Sequence, residues 1–219
     1  MVILISENQD LKGMDIIMKK RFLAVSLAAA ACILLTATIQ TRCLQQNMAQ
    51  KVLRFHVLAN SDSTEDQKLK LKVRDRVGTV MADKLKDVKT LDEGTLVVEQ
   101  NLGVIEDCAA AVIAEEGYRY PVSVALENCI FPEKSYGIYT FPGGRYEALR
   151  VVIGSGKGHN WWCVMYPNLC FANSMYEVDQ ASGETLREVL DPEEYAAVLE
   201  NGDFKIRFKM LGFLNRVLE

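Results

Sequence analysis

The sequence predicts an α+β fold: a small antiparallel or mixed sheet of three to four strands packed with helices, preceded by one N-terminal membrane or export helix. Three observations predict it. Residues 22–39 (FLAVSLAAAACILLTATI) carry no charge, and Lys19-Lys20-Arg21 stands directly before them. Between residues 64 and 116, apolar side chains recur at helical spacings of three and four. All five prolines lie at or beyond Pro121, and twelve of the eighteen aromatics lie between Tyr118 and Tyr176, so the later part of the chain reads as strands and turns. Strands and helices do not alternate regularly, which argues against a dinucleotide-binding fold.

The N-terminal segment reads first. Eighteen helical residues rise ~27 Å, close to the thickness of a bilayer core. A basic flank followed by an apolar run is the layout of an export signal, with the flank kept in the cytoplasm. Residues 1–21 are thus a cytoplasmic basic n-region and 22–39 a signal peptide or membrane anchor. Thr36, Ala37 and Thr38 form a poor cleavage site, which favours an uncleaved anchor slightly. Met14 or Met18 would give a more usual start for such a signal. Residues 40–50 are polar and read as a linker or the start of the first element. The exported domain is 51–219. The net charge is −4, while residues 1–40 carry four basic and three acidic side chains, so the body is mildly acidic. That argues against nucleic acid as the main partner and against a surface that clings to anionic lipid.

The elements of the body follow in order. KVLRFHVLAN reads as a buried strand at 52–59, closed by the turn cluster Asn60-Ser61-Asp62-Ser63. Asp62 or Ser63 caps a helix to about Leu85, with Leu69, Val73, Val77, Val80 and Met81 on its apolar face. Lys68, Lys70, Lys72, Arg74, Asp75 and Arg76 read as a solvated face. One further helix is expected from Asp92 to Glu116, weakened by Gly103. Strands are expected at 121–128, 146–156 and 160–166, with turns at Phe131-Pro132 and Phe141–Gly144. A short helix near Gly183, one opened by Asp191-Pro192, and a last one from Phe204 to Leu218 complete the chain.

The stretch VVIGSGKGHNWWCVMYPNLCF (151–171) holds the candidate chemistry. It is no phosphate loop: Gly156-Lys157 is followed by Gly158-His159, with neither a hydroxyl nor a helix. Its glycines read as a loop between strands. Two histidines in the chain, and a Cys163–Cys170 spacing wider than zinc motifs use, point to no metal and no cofactor. Four body cysteines, Cys108, Cys129, Cys163 and Cys170, allow three pairings. Cys163 and Cys170 are the nearest pair and could face each other across a turn at Pro167-Asn168; the alternative is two buried thiols. A nucleophilic Cys163 would need His56 or His159 as base, and His159 lies ~13 Å away along an extended strand. Trp161 and Trp162 fall on opposite faces of their strand, so one can be core while the other presents an aromatic surface.

Four segments carry a family resemblance: LRFHVLANSDSTEDQKLKLKVRDRV (53–77), YPVSVALE (120–127), FPEKSYG (131–137) and YEALRVVIGSGKGHNWWCVMYPNLCF (146–171). With these segments the chain resembles the stage II sporulation protein R family. It departs at Pro167-Asn168, where the family usually has two prolines, and at Pro142-Gly143-Gly144, where it has Pro-Ala-Gly. The resemblance implies a protein made in the forespore and exported into the space between forespore and mother cell. There it would activate a membrane-embedded aspartic protease of the mother-cell membrane, which processes the sigma-E precursor. On that reading the chain is a ligand and not an enzyme. It would be secreted or, if uncleaved, touch the membrane through 22–39. The expected contact residues are Asn60, Asp62, Lys157, His159, Asn160, Trp161 and Trp162. The rival reading is an exported cysteine-dependent hydrolase using Cys163 with a histidine base.

Overall fold

The computed structural model describes residues 2–167, 169 and 180–199. The chain divides into two units, and the body is the unit Leu44–Phe204. In the first unit lies most of helix α1 (Val2–Ala49). From Met18 onward this helix is long and apolar enough to cross a membrane, with a mean hydropathy of 2.3. Phe22, Leu23, Val25, Leu27, Leu34 and Leu35 are all exposed along it. The helix does not stop at residue 40. It runs through the expected linker to Ala49, because Leu44, Gln45, Gln46 and Met48 are good helix formers with no glycine or proline among them. Met48 is fully buried in the body.

The body is the expected α+β domain. Its elements are β1 (Leu53–Leu58), α2 (Thr64–Leu85), α3 (Leu91–Gln100), α4 (Leu102–Glu115), β2 (Val122–Phe131), β3 (Lys134–Tyr136), β4 (Tyr139–Phe141), β5 (Gly144–Ile153), β6 (Asn160–Tyr166), α5 (Gln180–Val189) and α6 (Pro192–Leu199). The main sheet is mixed, in the order β2-β5-β1-β6. Central β1 runs parallel to β5 and antiparallel to β6. It is buried along its whole length, Arg54 and His56 included.

Alternation along the strands builds two cores. Phe55, Val57, Leu149, Val151, Ile153 and Met165 face α2 and α4, meeting Leu69, Val73, Val77, Met81, Ile105 and Ile113. On the other face Ala148, Val164, Phe131 and Tyr146 meet Met48, Phe141, Leu186 and Val198.

Two expectations are revised. The single helix over 92–116 is two, α3 and α4, broken at Asn101 (φ −114°) rather than at Gly103. The Asn101 side chain donates to the Val97 carbonyl at 2.7 Å, a local bond that competes with helix continuation. The segment read only as turns holds the β3–β4 hairpin, with Gly137 at φ 58° between the strands. The short helix expected near Gly183 is α5. Pro192 opens α6 as expected, and the helix expected over 204–218 lies outside the described residues.

Candidate functional site

Two loops meet beyond the ends of β1, β5 and β6: the turn 59–63 and the β5–β6 loop 154–159. Asn60 joins them. Its side-chain oxygen accepts from the Ser155 amide at 2.9 Å, and its carbonyl accepts from the Ser155 hydroxyl at 2.6 Å and the Lys157 amide at 3.3 Å. The Gly158 amide donates to the Ala59 carbonyl at 2.9 Å. A Cβ at Gly158 would overlap the carbonyl oxygen of Ser61, so this glycine is required by close approach of the two backbones. Gly154 and Gly156 turn the chain at φ 60° and 61°.

The first turn of α2 anchors the cluster. Ser63 caps the helix, its Oγ accepting from the Asp66 amide at 3.1 Å. Asp66 is buried and accepts from Asn60 Nδ2 at 2.8 Å and Ser61 Oγ at 2.5 Å, with the Tyr120 hydroxyl as a further partner. Burial pushes the Asp66 carboxyl up, but these hydrogen bonds outweigh it and hold it below its ordinary value.

One and two turns on, Lys70 and Arg74 are also buried, which corrects the reading of this basic run as wholly solvated. Asp66, Lys70 and Arg74 are spaced by four and share one face of the helix. Lys70 Nζ donates to the His159 carbonyl at 2.9 Å and Gln67 Oε1 at 2.5 Å. Burial, joined by the Arg74 charge, lowers the Lys70 pKa, with Asp62 opposing. Arg74 lies over the Trp161 ring at 4.8 Å and pairs with Asp75 at 2.6 Å. A charge run alone does not reveal these roles; the four-residue spacing from Asp66 was the available signal.

The structure therefore brings Asn60, Asp62 and His159 together. Asp62 Oδ1 accepts from the His159 amide at 2.6 Å and contacts its ring Nδ1. Those hydrogen bonds, side chain first, keep the Asp62 pKa below its ordinary value. The His159 side chain is 80% exposed, and Lys157 is exposed beside it. Asn160 begins β6, half-buried. The two tryptophans do occupy opposite faces, but neither is fully exposed or fully buried. Trp161 meets Phe55 edge-on at 5.6 Å, and Trp162 stacks on His56 at 4.9 Å.

The register also separates the components of a cysteine–histidine pair. Cys163 lies opposite Phe55, and His56 lies opposite Trp162, so the two side chains leave the sheet on opposite faces. Cys163 is buried and disulfide-bonded, so it carries no thiol to ionise. Cys32, Cys43, Cys108 and Cys129 are free. Cys170, its expected partner, lies outside the described residues.

His56 is buried between Trp162 and Phe131, with neither ring nitrogen hydrogen-bonded. Burial, then the charges of Arg150 and Arg54, lowers its pKa from 6.5 to about 4. Folding thus favours the neutral ring. As pH falls from about 6.5 to 4, the unfolded chain gains a proton that the folded chain lacks, and stability drops by about 3 kcal/mol. In urea titrations at several pH values, His56→Phe should remove this part of the slope; an unchanged slope would contradict the assignment.

A mixed-sheet α+β body behind an apolar helix compatible with export or membrane anchoring defines the class. The family model for stage II sporulation protein R matches residues 49–176, which include both loops of the cluster. The chain belongs to that family, which ties it to sporulation. It is 37% identical over 143 residues to the stage II sporulation protein R of Bacillus subtilis (strain 168). The match covers 65% of this chain and 61% of that relative. No solved structure matches the chain.

Proposed function

We propose that the body is an intercompartmental signal of sporulation, exported from the forespore, that activates a membrane-embedded aspartic protease in the mother-cell membrane. The protease then processes the sigma-E precursor. The observation that carries this reading is the loop cluster itself. It lies within the family match, its backbone is tied from several sides, and it presents Lys157 and His159 to solvent. A fixed polar surface binds without a large ordering penalty. Activation then needs only that it bind the active protease arrangement better than the inactive one; ~1.4 kcal/mol of preference is a tenfold shift. The disulfide at Cys163 and the placement of His56 on the opposite face favour this reading over a cysteine hydrolase.

Lys157→Glu and His159→Ala test it. Both side chains are exposed, so stability should change by no more than about 0.5 kcal/mol. Cleavage of the sigma-E precursor in sporulating cells should fall at least about tenfold. Normal cleavage with both variants would remove this surface from the mechanism. Trp161→Ala is a poorer probe, because it strips packing from Phe55 and Arg74.

A further inference from the structure

β2 is an edge strand. All ten of its residues pair with β5 on one side, and among the described residues no backbone group bonds its other side. Edge strands are ordinarily short or blunted by lysine, proline or a bulge. β2 has none of these: its register is unbroken, and no lysine or proline falls within Val122–Phe131. Its one charge, Glu127, is paired with Arg150 of β5 at 2.8 Å. Ile130 is 70% exposed. Pro121 and Pro132 bracket the strand and limit any added pairing to it.

We propose that β2 pairs antiparallel with β2 of a second copy about a two-fold axis through Leu126, joining two sheets into one. Symmetry selects that register. A two-fold axis perpendicular to the sheet keeps each face on its own side, so paired residues share a face and the axis passes through a residue. Only axes on Leu126 or Glu127 use nearly the whole strand. The second sets the two Glu127 carboxylates directly opposite each other, which is unfavourable.

The first sets Val122 against Ile130 and so covers the exposed isoleucine. It also sets Ala125 against Glu127 of the other copy. Arg150 is the β5 neighbour of Ala125 on the same rung. Each Arg150 therefore faces the second copy's Glu127 across one small alanine, ~9.6 Å between backbones and within reach of two long side chains. The edge is complementary to itself in both apolar and charged positions.

Ser123 falls opposite Cys129 of the second copy, on the same face, and Cys129 is free. The full chain in detergent, with Ser123→Cys, should form a disulfide-linked dimer on mild oxidation, and Cys129→Ser in that chain should abolish it. Sedimentation of the unmodified chain should show a reversible dimer. Ile130→Lys should raise its dissociation constant about tenfold, because the lost apolar rung occurs twice. A chain that stays monomeric through the micromolar range overturns the proposal. So does a dimer insensitive to Ile130→Lys, or one in which Ser123→Cys gives no link dependent on Cys129.

Discussion

Arg54→Lys should destabilise the body by about 3 kcal/mol or more, while Arg54→Met, which removes the charge altogether, should lose less. Arg54 is completely buried, and among the described residues no carboxylate pairs with it. Ring faces take the place of an anion. Its guanidinium carbon lies 4.4 Å from the Phe131 centroid, 4.9 Å from Tyr146, 5.3 Å from Phe141 and 5.9 Å from Tyr136. Nε donates to the Cys163 carbonyl at 2.9 Å, and Nη2 to the Tyr136 hydroxyl at 3.0 Å. A planar, weakly hydrated fork meets these partners together; a lysine ammonium is more strongly hydrated and lacks the fork. Lysine would thus keep the burial penalty and lose most of what offsets it. Methionine keeps the length, and its sulfur tolerates aromatic neighbours. Urea unfolding followed by tryptophan fluorescence ranks the two. A lysine variant more stable than the methionine variant would refute this account.

Asp66→Ala should cost about 3 kcal/mol and loosen both loops together. The substitution leaves Asn60 Nδ2, Ser61 Oγ and the Tyr120 hydroxyl without their shared acceptor. Asn60 is also the residue that holds Ser155. The damage should therefore pass from α2 to the β5–β6 loop, seen as faster hydrogen exchange at the amides of Ser155 and Gly158. Asp66→Asn should fall between, since its amide nitrogen opposes donors already in place. The folded Asp66 pKa lies below its unfolded value, so this stabilisation is present above the unfolded pKa and is lost as pH falls through the folded one. An exchange pattern that changed at Asn60 but not at Ser155 would show that the loops are independent.

Much of this was legible in the sequence because it was local. Ser63 with Asp66 three residues on marked the start of α2, and Pro192 marked the start of α6. The Trp161-Trp162 pair required opposite faces once β6 was recognised. What the sequence does not show depends on contacts distant in sequence. Lys70 and Arg74 look solvated until the β5–β6 loop and β6 are laid beside them, since the partners they gain from outside α2 are the His159 carbonyl and the Trp161 ring. The β3–β4 hairpin is too short for a visible alternation. Residues 41–49 look like a linker by polarity, but Met48 has a place in the core. The grouping of Asn60, Asp62 and His159 was expected as a set, whereas Asp66 as its anchor was not.

The position of β1 between β5 and β6 carries a kinetic consequence. Its two neighbours begin only at Gly144 and Asn160, so the strand that organises the sheet emerges long before anything it can pair with. During synthesis the early helices can form, but the sheet has no closed arrangement until residue 166 is available. Closing such a long loop is entropically expensive, and folds dominated by non-local pairing form slowly. A chain synthesised N-terminus first should stay open and pliable until its last strands emerge, then gather its sheet in one late, concerted event.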